Sequence, residues 1–174
     1  IRAGRVPLDT RLDVLAAAAR RDSANVQQAL AEYQSQRDPS DPLAGFRETL
    51  YGGSASAGRR TFLENRQVSC SRCHKIGGEE GGDVGPDLAA AVARWKQMAA
   101  GERREYLLAS LLTPSKQIAE GYQSAVVVTV EGKVISGVGR EETSEEVVLV
   151  DPQGKRIRVA ADDIDEMQKS TTSA

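Results

Sequence analysis

The feature that most constrains this chain is a C-x-x-C-H motif formed by Cys70, Cys73 and His74, which contains both cysteines and the only histidine of the 174 residues. C-x-x-C-H is the pattern to which a c-type haem is attached. Two thiols at this spacing can each form a thioether with one vinyl group of a haem, and the histidine that follows directly can bind the iron. The motif therefore predicts one covalent haem c, held by Cys70 and Cys73, with His74 as an iron ligand.

A zinc site is the first alternative for the same residues. Structural zinc usually takes four ligands, most often Cys or His, and the chain offers three of these in total. A carboxylate such as that of Glu79 or Asp83 would have to complete the set. A zinc-stabilised interaction module is therefore an alternative function.

Two further alternatives use the cysteines without a metal. A thioredoxin-like dithiol belongs at the end of a strand in a βαβ unit, whereas the residues before Cys70 have a helical pattern. A structural disulfide between Cys70 and Cys73 would close only a very short loop and would stabilise little. The pattern favours haem attachment over both.

Composition and charge narrow the classes of partner. The 23 basic and 25 acidic residues give a formal net charge of -2, which argues against a nucleic-acid-binding surface. Aromatic residues make up only 4% of the chain, so a buried porphyrin would supply much of the apolar area that the side chains lack. No apolar run reaches the length of a membrane span. We therefore expect no nucleic acid and no membrane span.

The chain starts at Ile1 rather than Met, and we therefore expect a processed protein or a fragment of a longer one. Haem c is attached outside the bacterial cytoplasm. If the motif carries haem, the protein is expected to be periplasmic or otherwise exported.

Residues 1–44 are predicted to form a helical segment. Apolar residues at helical spacing indicate two helices between residues 8 and 35, with Asp22 or Ser23 as the N-cap of the second. Such a pair is either the tail of a helical-repeat array or an ordinary helical hairpin. The proline-containing stretch 37–42 is typical of a linker.

Residues 45–121 are predicted to form the helical core around the motif. A short helix over residues 44–50 comes first. Ser54 is then the predicted N-cap of a helix that ends near Asn65. This helix leads directly into the motif.

A glycine-rich loop follows His74 and permits tight turns and a close approach to a flat ligand. Asp87 ends the loop and is the natural N-cap of a helix predicted over residues 88–100, which stops at Gly101. An amphipathic, leucine-rich helix is predicted over residues 102–112.

Residues 122–169 are predicted to form a small β subdomain. Four runs of β-branched residues have strand length, at 125–130, 133–140, 146–150 and 155–160. Turn signals separate them, which predicts an antiparallel meander or small barrel with a structural or docking role. Residues 162–169 are predicted as a last helical turn and 170–174 as a disordered tail. The expected fold is mainly α with this small β element appended.

The helix before the motif resembles the N-terminal helix of cytochromes c, because Gly58 and Phe62 lie four residues apart on one face. In that family the glycine lets a C-terminal helix cross closely. The resemblance implies a cytochrome c-like helical haem core. It also implies that Pro86 gives its carbonyl oxygen to the second ring nitrogen of His74, which orients the imidazole, and that Leu88 packs on the haem face.

The order of motifs along the chain resembles a more specific group, the haem-binding domain of planctomycete and verrucomicrobial type. A G-x-x-x-F helix, the C-x-x-C-H motif, a G-P-D-L loop, a leucine-rich segment over 107–115 and a β meander follow one another across roughly residues 45–170. Such domains often end large exported proteins that carry a dehydrogenase-like propeller and HEAT-like helical repeats. The resemblance implies that the electron donor is a redox partner protein or an attached dehydrogenase domain.

The sixth iron ligand is not defined by these motifs. In the same group a Met-Pro pair after the β segment supplies it, whereas the only methionines here, Met98 and Met167, are not followed by proline. We therefore expect a fragment that lacks its distal ligand. The iron would be five-coordinate, bind water or a neighbouring group, or take Met167, while Met98 is expected in the core.

These residues favour an electron carrier over an enzyme. The expected function is one-electron transfer by a haem whose iron is bound by His74. An open distal position would instead permit a haem-based sensor of small ligands or a peroxide-reactive haem protein. A peroxidase would need a general base, and no distal His or Arg-His pair is recognisable in the sequence.

Overall fold

The computed structural model describes residues 6–78 and 81–173, which contain five α-helices and a five-stranded antiparallel sheet. The predicted fold class, mainly α with a small antiparallel β element, is confirmed. Two compact units are present, one made of residues 1–58 and 99–113 and the other of residues 59–98 and 114–174. The predicted domain boundaries follow a different division and concern independent folding, so they stay a prediction.

The first unit begins with the two predicted helices, α1 at Arg11–Ala19 and α2 at Ala24–Ser35. Leu15 of α1 is buried, as its helical spacing predicts. Ser23 occupies the N-cap position of α2, but its side chain makes no capping hydrogen bond; its backbone carbonyl instead accepts from the N–H groups of Val26 and Gln27.

A buried carboxylate, Glu48, connects the 3-10 turn around it to α2 and to the segment after α2. It lies in a 3-10 turn at Arg47–Leu50, where a short helix was predicted over 44–50. The Tyr33 hydroxyl donates to Glu48 Oε1 at 2.7 Å, and Arg37 Nη2 donates to Oε2 at 3.2 Å. Burial alone would raise the pKa of Glu48, but the hydrogen bond from Tyr33 and the charge of Arg37 outweigh it and lower that pKa. These side chains line a cavity of about 380 Å³.

Helix α3 at Ala55–Glu64 precedes the motif, as predicted. The Ser54 hydroxyl accepts from the Ala57 N–H at 3.3 Å, which confirms the predicted N-cap. Apart from the backbone of its own helix and its chain neighbours, no described atom lies within 4 Å of the position that a Cβ on Gly58 would take. The close helix crossing that the cytochrome c resemblance implies at Gly58 is therefore not seen here.

The helix predicted over residues 88–100 is shorter than expected. Helix α4 covers Leu88–Arg94, a turn follows in which Met98 N–H donates to the Trp95 carbonyl, and α5 covers Ala100–Leu112. The carboxylate of Glu102 accepts from the Ala99 N–H at 3.0 Å and so stabilises a new helix start. Gly101 therefore lies in the first turn of α5 and does not end a helix.

The sheet contains the four predicted strands and one more. Its strands are β1 at Ser124–Thr129, β2 at Val134–Glu142, β3 at Glu146–Val150, β4 at Arg156–Ala160 and β5 at Ile164–Lys169. All pairs are antiparallel, in the order β4-β3-β2-β1-β5. The meander prediction is confirmed for β1 to β4.

The prediction of a helical turn over residues 162–169 is wrong, because β5 lies there and pairs with β1. Only a 3-10 turn at Ala161–Asp163 precedes it. Ile164 and Met167 pack on the core of the sheet, while the polar residues between them face away. Pairing with an existing strand edge decides the conformation of a segment whose composition alone is not strand-like.

Apolar residues of the inner strands form the core of the sheet. Leu149, Val127 and Val148 have essentially no exposed surface. The segment predicted as a disordered tail has no helix or strand over residues 170–173, and the Ser170 N–H donates to the Ser124 carbonyl. Ala174 lies outside the described residues. None of the helices described is both long enough and apolar enough to span a membrane.

Replacing the buried leucine of β3 tests this core. Leu149→Ala removes buried methyl groups from β3 and leaves a cavity, so we expect a loss of about 2–5 kcal/mol in the free energy of unfolding. Urea unfolding followed by circular dichroism measures it. The same change at Leu111, whose side chain is 77% exposed, is the matched control and should cost less than about 0.5 kcal/mol. Equal losses in the two variants would contradict the assignment of the core.

The pKa of Glu48 leads to a pH-dependent prediction. A carboxylate with a lowered pKa stabilises the folded state above its unfolded pKa of about 4.5, and this contribution is lost as the pH falls through the folded value. We therefore expect Glu48→Gln to be less stable than the wild type at neutral pH and the difference to shrink near about pH 3. Urea unfolding at both pH values measures this, with exposed Glu64→Gln as control. A difference independent of pH would contradict the ionised, hydrogen-bonded state of Glu48.

Candidate cofactor-attachment site

The C-x-x-C-H motif folds as one tight turn. A 3-10 turn covers Cys70–Arg72 and follows Ser69, whose φ of 47° is in the left-handed region. The carbonyl of Cys70 accepts from the N–H of Cys73 at 3.3 Å and from that of His74 at 3.1 Å. Both thiols are half-buried and are not joined to each other. The turn therefore presents two free thiols beside one imidazole.

The glycine-rich loop returns along the motif and is bonded to its backbone. The N–H of Gly82 donates to the Ser71 carbonyl at 2.8 Å, and the N–H of Gly85 donates to the Cys73 carbonyl at 2.7 Å. At the end of the loop, the Leu88 N–H donates to the carbonyl of Lys75 at 2.9 Å. The loop and the motif therefore form one hydrogen-bonded layer.

Glycine is required at position 85 because the His74 ring lies against its backbone. A Cβ at Gly85 would lie 2.6 Å from His74 Nδ1 and 2.9 Å from Nε2, closer than real Cβ contacts allow. The φ of Gly85 is not in the left-handed region, so the requirement comes from the imidazole and not from backbone conformation.

The second ring nitrogen of His74 is bonded as the cytochrome c resemblance implies. His74 Nδ1 lies 2.9 Å from the carbonyl oxygen of Pro86. A carbonyl oxygen can only accept, so Nδ1 must carry the proton and donate. In the neutral imidazole, Nε2 is then the nitrogen with a free lone pair, which is the state in which histidine binds a metal.

Asp87 joins the loop to helix α4. Its Oδ1 accepts from the N–H of Gly77 at 3.1 Å and from that of Ala89 at 2.9 Å, which confirms the predicted N-cap. The Gly77 N–H is the main cause that lowers the pKa of Asp87, with the helix N–H groups adding to it. Leu88 is half-buried at the start of α4. Its predicted contact with a haem face stays a prediction.

The alternatives to haem gain no support from this geometry. Asp83, a candidate fourth zinc ligand, pairs with Lys75 Nζ at 3.2 Å, and the other candidate, Glu79, lies outside the described residues together with Glu80. Among the residues that the structure describes, no three His, Cys, Asp or Glu side chains are grouped to hold a metal ion. The element before the motif is α3 and not the strand that a thioredoxin-like dithiol requires.

The sheet contributes a contact that sequence reasoning missed. Cys73 packs against a buried cluster in which Val84 of the loop meets strand residues Val138 and Val150. Tyr122 packs on the same cluster, and its ring lies under the guanidinium of Arg140. No motif marks these positions, since buried valines and partly exposed arginines are common in the strands of any sheet.

The two methionines differ in their surroundings. Met167 lies in β5 opposite Val127 and packs against the core of the sheet. Met98 is half-buried in the turn after α4. Met167 thus has a structural role, and the sequence-based suggestion that it reaches the iron stays a prediction without geometric support.

The residues present fit a haem c. Two unpaired thiols at the C-x-x-C spacing and an imidazole with Nδ1 already bonded are the donor set that this group uses. The glycine at position 85 lets the imidazole lie flat against the loop. The His74–Pro86 contact is present as the resemblance implies, while the roles of Cys70, Cys73, His74 and Pro86 toward a haem stay a prediction.

Comparison with known proteins points the same way. The family model for cytochrome c matches residues 55–138, a range that contains the motif, the glycine-rich loop and α4. No curated protein matches the chain. The match supports a cytochrome c-type haem domain in this part of the chain. Such domains carry covalently bound haem c, generally transfer electrons and are typically exported.

Alanine at position 85 tests the contact between the loop and the imidazole. The added Cβ of Gly85→Ala cannot be accommodated beside His74, so either the ring or the loop must move. We expect a loss of about 1–3 kcal/mol in the free energy of unfolding and a changed NMR signal of the His74 ring.

The matched control is Gly58→Ala, which adds the same atom where no described neighbour lies within 4 Å. We expect it to leave the His74 signal unchanged and to stabilise α3 slightly. An unchanged His74 ring in Gly85→Ala would show that the imidazole does not lie where the structure has it.

Proposed function

We propose that this chain carries one haem c, bound through thioethers to Cys70 and Cys73, with His74 Nε2 as iron ligand, and that it transfers single electrons between proteins. The observation that supports this most strongly is the hydrogen bond from His74 Nδ1 to the Pro86 carbonyl. It leaves Nε2 as the free ring nitrogen, and the thiols of Cys70 and Cys73 in the same motif are unpaired.

Each residue of the site has a separate task in this proposal. Cys70 and Cys73 fix the cofactor covalently, so it is retained in both oxidation states. Pro86 accepts the Nδ1 proton and makes the imidazole of His74 a better electron donor, which favours the oxidised metal. Leu88 would exclude water from the cofactor face. When bound, the haem supplies an iron that gains and loses one electron without other chemistry.

The electron donor is proposed to be a dehydrogenase, either attached to this domain or a separate protein. The motif order that resembles the planctomycete and verrucomicrobial haem-binding domain supports this. An exported, periplasmic location follows from the same proposal, because haem c is attached outside the bacterial cytoplasm.

A second candidate function is favoured by the position of Met167. Its side chain packs on the core of the sheet opposite Val127, so in this position it does not serve as an iron ligand. If Met98 does not take its place, the sixth position is open to a small molecule, as in a haem-based ligand sensor or a peroxide-reactive haem. Turnover of hydrogen peroxide distinguishes the carrier from a peroxide-reactive haem: rapid reduction of the protein without turnover of peroxide favours the carrier.

Expression in the periplasm together with a haem-attachment system tests the main proposal. The wild-type chain should gain the mass of one haem and keep a c-type absorption spectrum after denaturation and reduction. Replacing both Cys70 and Cys73 by alanine should abolish the covalent haem. His74→Ala should change the spectrum of the folded protein through loss of the axial ligand.

The control lies inside the motif. Arg72→Ala changes an exposed residue between the cysteines and should gain the haem as the wild type does. An unmodified mass of the wild-type chain under conditions that mature another cytochrome c would end the proposal. Zinc in the purified chain would then favour the interaction module.

A further inference from the structure

One residue of the sheet, Arg140 of β2, reaches the loop that positions the imidazole. Its Nη2 donates to the backbone carbonyl of Asp83 at 2.5 Å. Its guanidinium carbon lies 4.3 Å from the centre of the Tyr122 ring, within the range of a cation–π interaction. The Arg140 side chain is therefore held between an aromatic ring and a loop carbonyl.

A β-bulge explains how a strand residue comes to face the loop. Gly139 of β2 pairs with Leu149, whereas Glu141 pairs with Val148, so Arg140 is an extra residue without a partner on β3. Such a bulge bends the strand and redirects the side chain, and bulges are frequent beside functional sites.

The contacts of Arg140 serve the loop more than the sheet. Its Nε is buried and has no hydrogen-bond acceptor in the structure. The Asp83 carbonyl is the side chain's acceptor among the described residues, and Tyr122 precedes β1. Neither of the two contact residues, Asp83 and Tyr122, belongs to a strand of the sheet.

A short stretch of chain connects this contact to the imidazole. After Asp83 come Val84, which is buried against the sheet, and Gly85, whose N–H is bonded to the motif. Pro86 follows directly and accepts from His74 Nδ1. The segment 83–86 is thus held by Arg140 at one end and holds the imidazole at the other.

We propose that Arg140 is a positioning residue for His74. The bulge and the Tyr122 ring hold the Arg140 side chain in place, and its hydrogen bond holds the Asp83 carbonyl. The Pro86 carbonyl is thereby kept within hydrogen-bonding distance of His74. This inference rests on the proposed haem function. A weaker hydrogen bond at Nδ1 makes the imidazole a poorer donor and stabilises the oxidised metal less. Weakening the contacts of Arg140 with Tyr122 and the Asp83 carbonyl should therefore shift the midpoint potential of the haem to a more positive value.

The test uses variants that keep the net charge, because loss of a positive charge would itself change the potential. Arg140→Lys loses the planar group that stacks on Tyr122, and Tyr122→Leu loses the ring. Both should keep the covalent haem and shift the potential upward. Tyr122→Phe keeps the ring face and should restore the wild-type potential.

The matched control is Arg158→Lys, on β4 of the same sheet, where the arginine pairs with Glu146. It should leave the potential unchanged. Spectroelectrochemical titration measures the potentials, and thermal unfolding of the same samples reports stability. We expect hydrogen exchange of the Gly85 N–H to be faster in Arg140→Lys than in the wild type. This result would locate the change in the loop.

Two results would overturn the inference. Potentials of Arg140→Lys and Tyr122→Leu equal to the wild type, with only the unfolding temperature lowered, would assign Arg140 a purely structural role. An equal shift in Arg158→Lys would show a general effect of the sheet. A wild-type chain without covalent haem would instead overturn the proposed function itself, and this inference with it.

Discussion

The hydrogen bond between His74 Nδ1 and the carbonyl of Pro86 is the interaction on which the rest of the site depends. It fixes the tautomer, because a carbonyl offers no proton, and the imidazole lies against the backbone of Gly85, where a Cβ would clash with the ring. An imidazole prepared in this way needs no rearrangement to bind a metal through Nε2. The tautomer of His74 is thus determined by Pro86, a residue twelve positions further along the chain.

Hydrogen bonds alone are a weak means of holding the loop in place. The three backbone bonds that join the loop to the motif are each worth about 1 kcal/mol net, since water competes for the same groups. Burial of one valine side chain contributes about 1.5–3 kcal/mol, so Val84 packed against the sheet is comparable with all three bonds together. The sheet is therefore part of the scaffold of the site and not only an appendage to the helices.

Local signals in the sequence predicted those parts of the fold that depend on neighbouring residues. The caps at Ser54 and Asp87, the helices before the motif and the four β-branched strands are of this kind. Strand β5 was missed because its conformation comes from pairing with β1, some 35–45 residues away in the chain. The break after α4 was missed because a carboxylate on the following turn, that of Glu102, starts a new helix before the first can continue. In the site, the motif and Pro86 were predictable, whereas Arg140 was not, because a bulge cannot be recognised without knowing the partner strand.

The range of residues that the family model matches separates the motif and the loop from the side chain that contacts the loop. The match ends at residue 138, inside β2 and before the bulge that carries Arg140. The loop and the motif thus belong to the part of the chain similar to cytochromes c, while the side chain that restrains the loop lies just outside it. Contacts between the sheet and the loop can alter the strength of the hydrogen bond between His74 and Pro86 while the thiols and the imidazole stay the same. If His74 binds the iron as proposed, its donor strength depends on that bond, and residues remote from the motif can then adjust the redox behaviour while the motif itself stays the same.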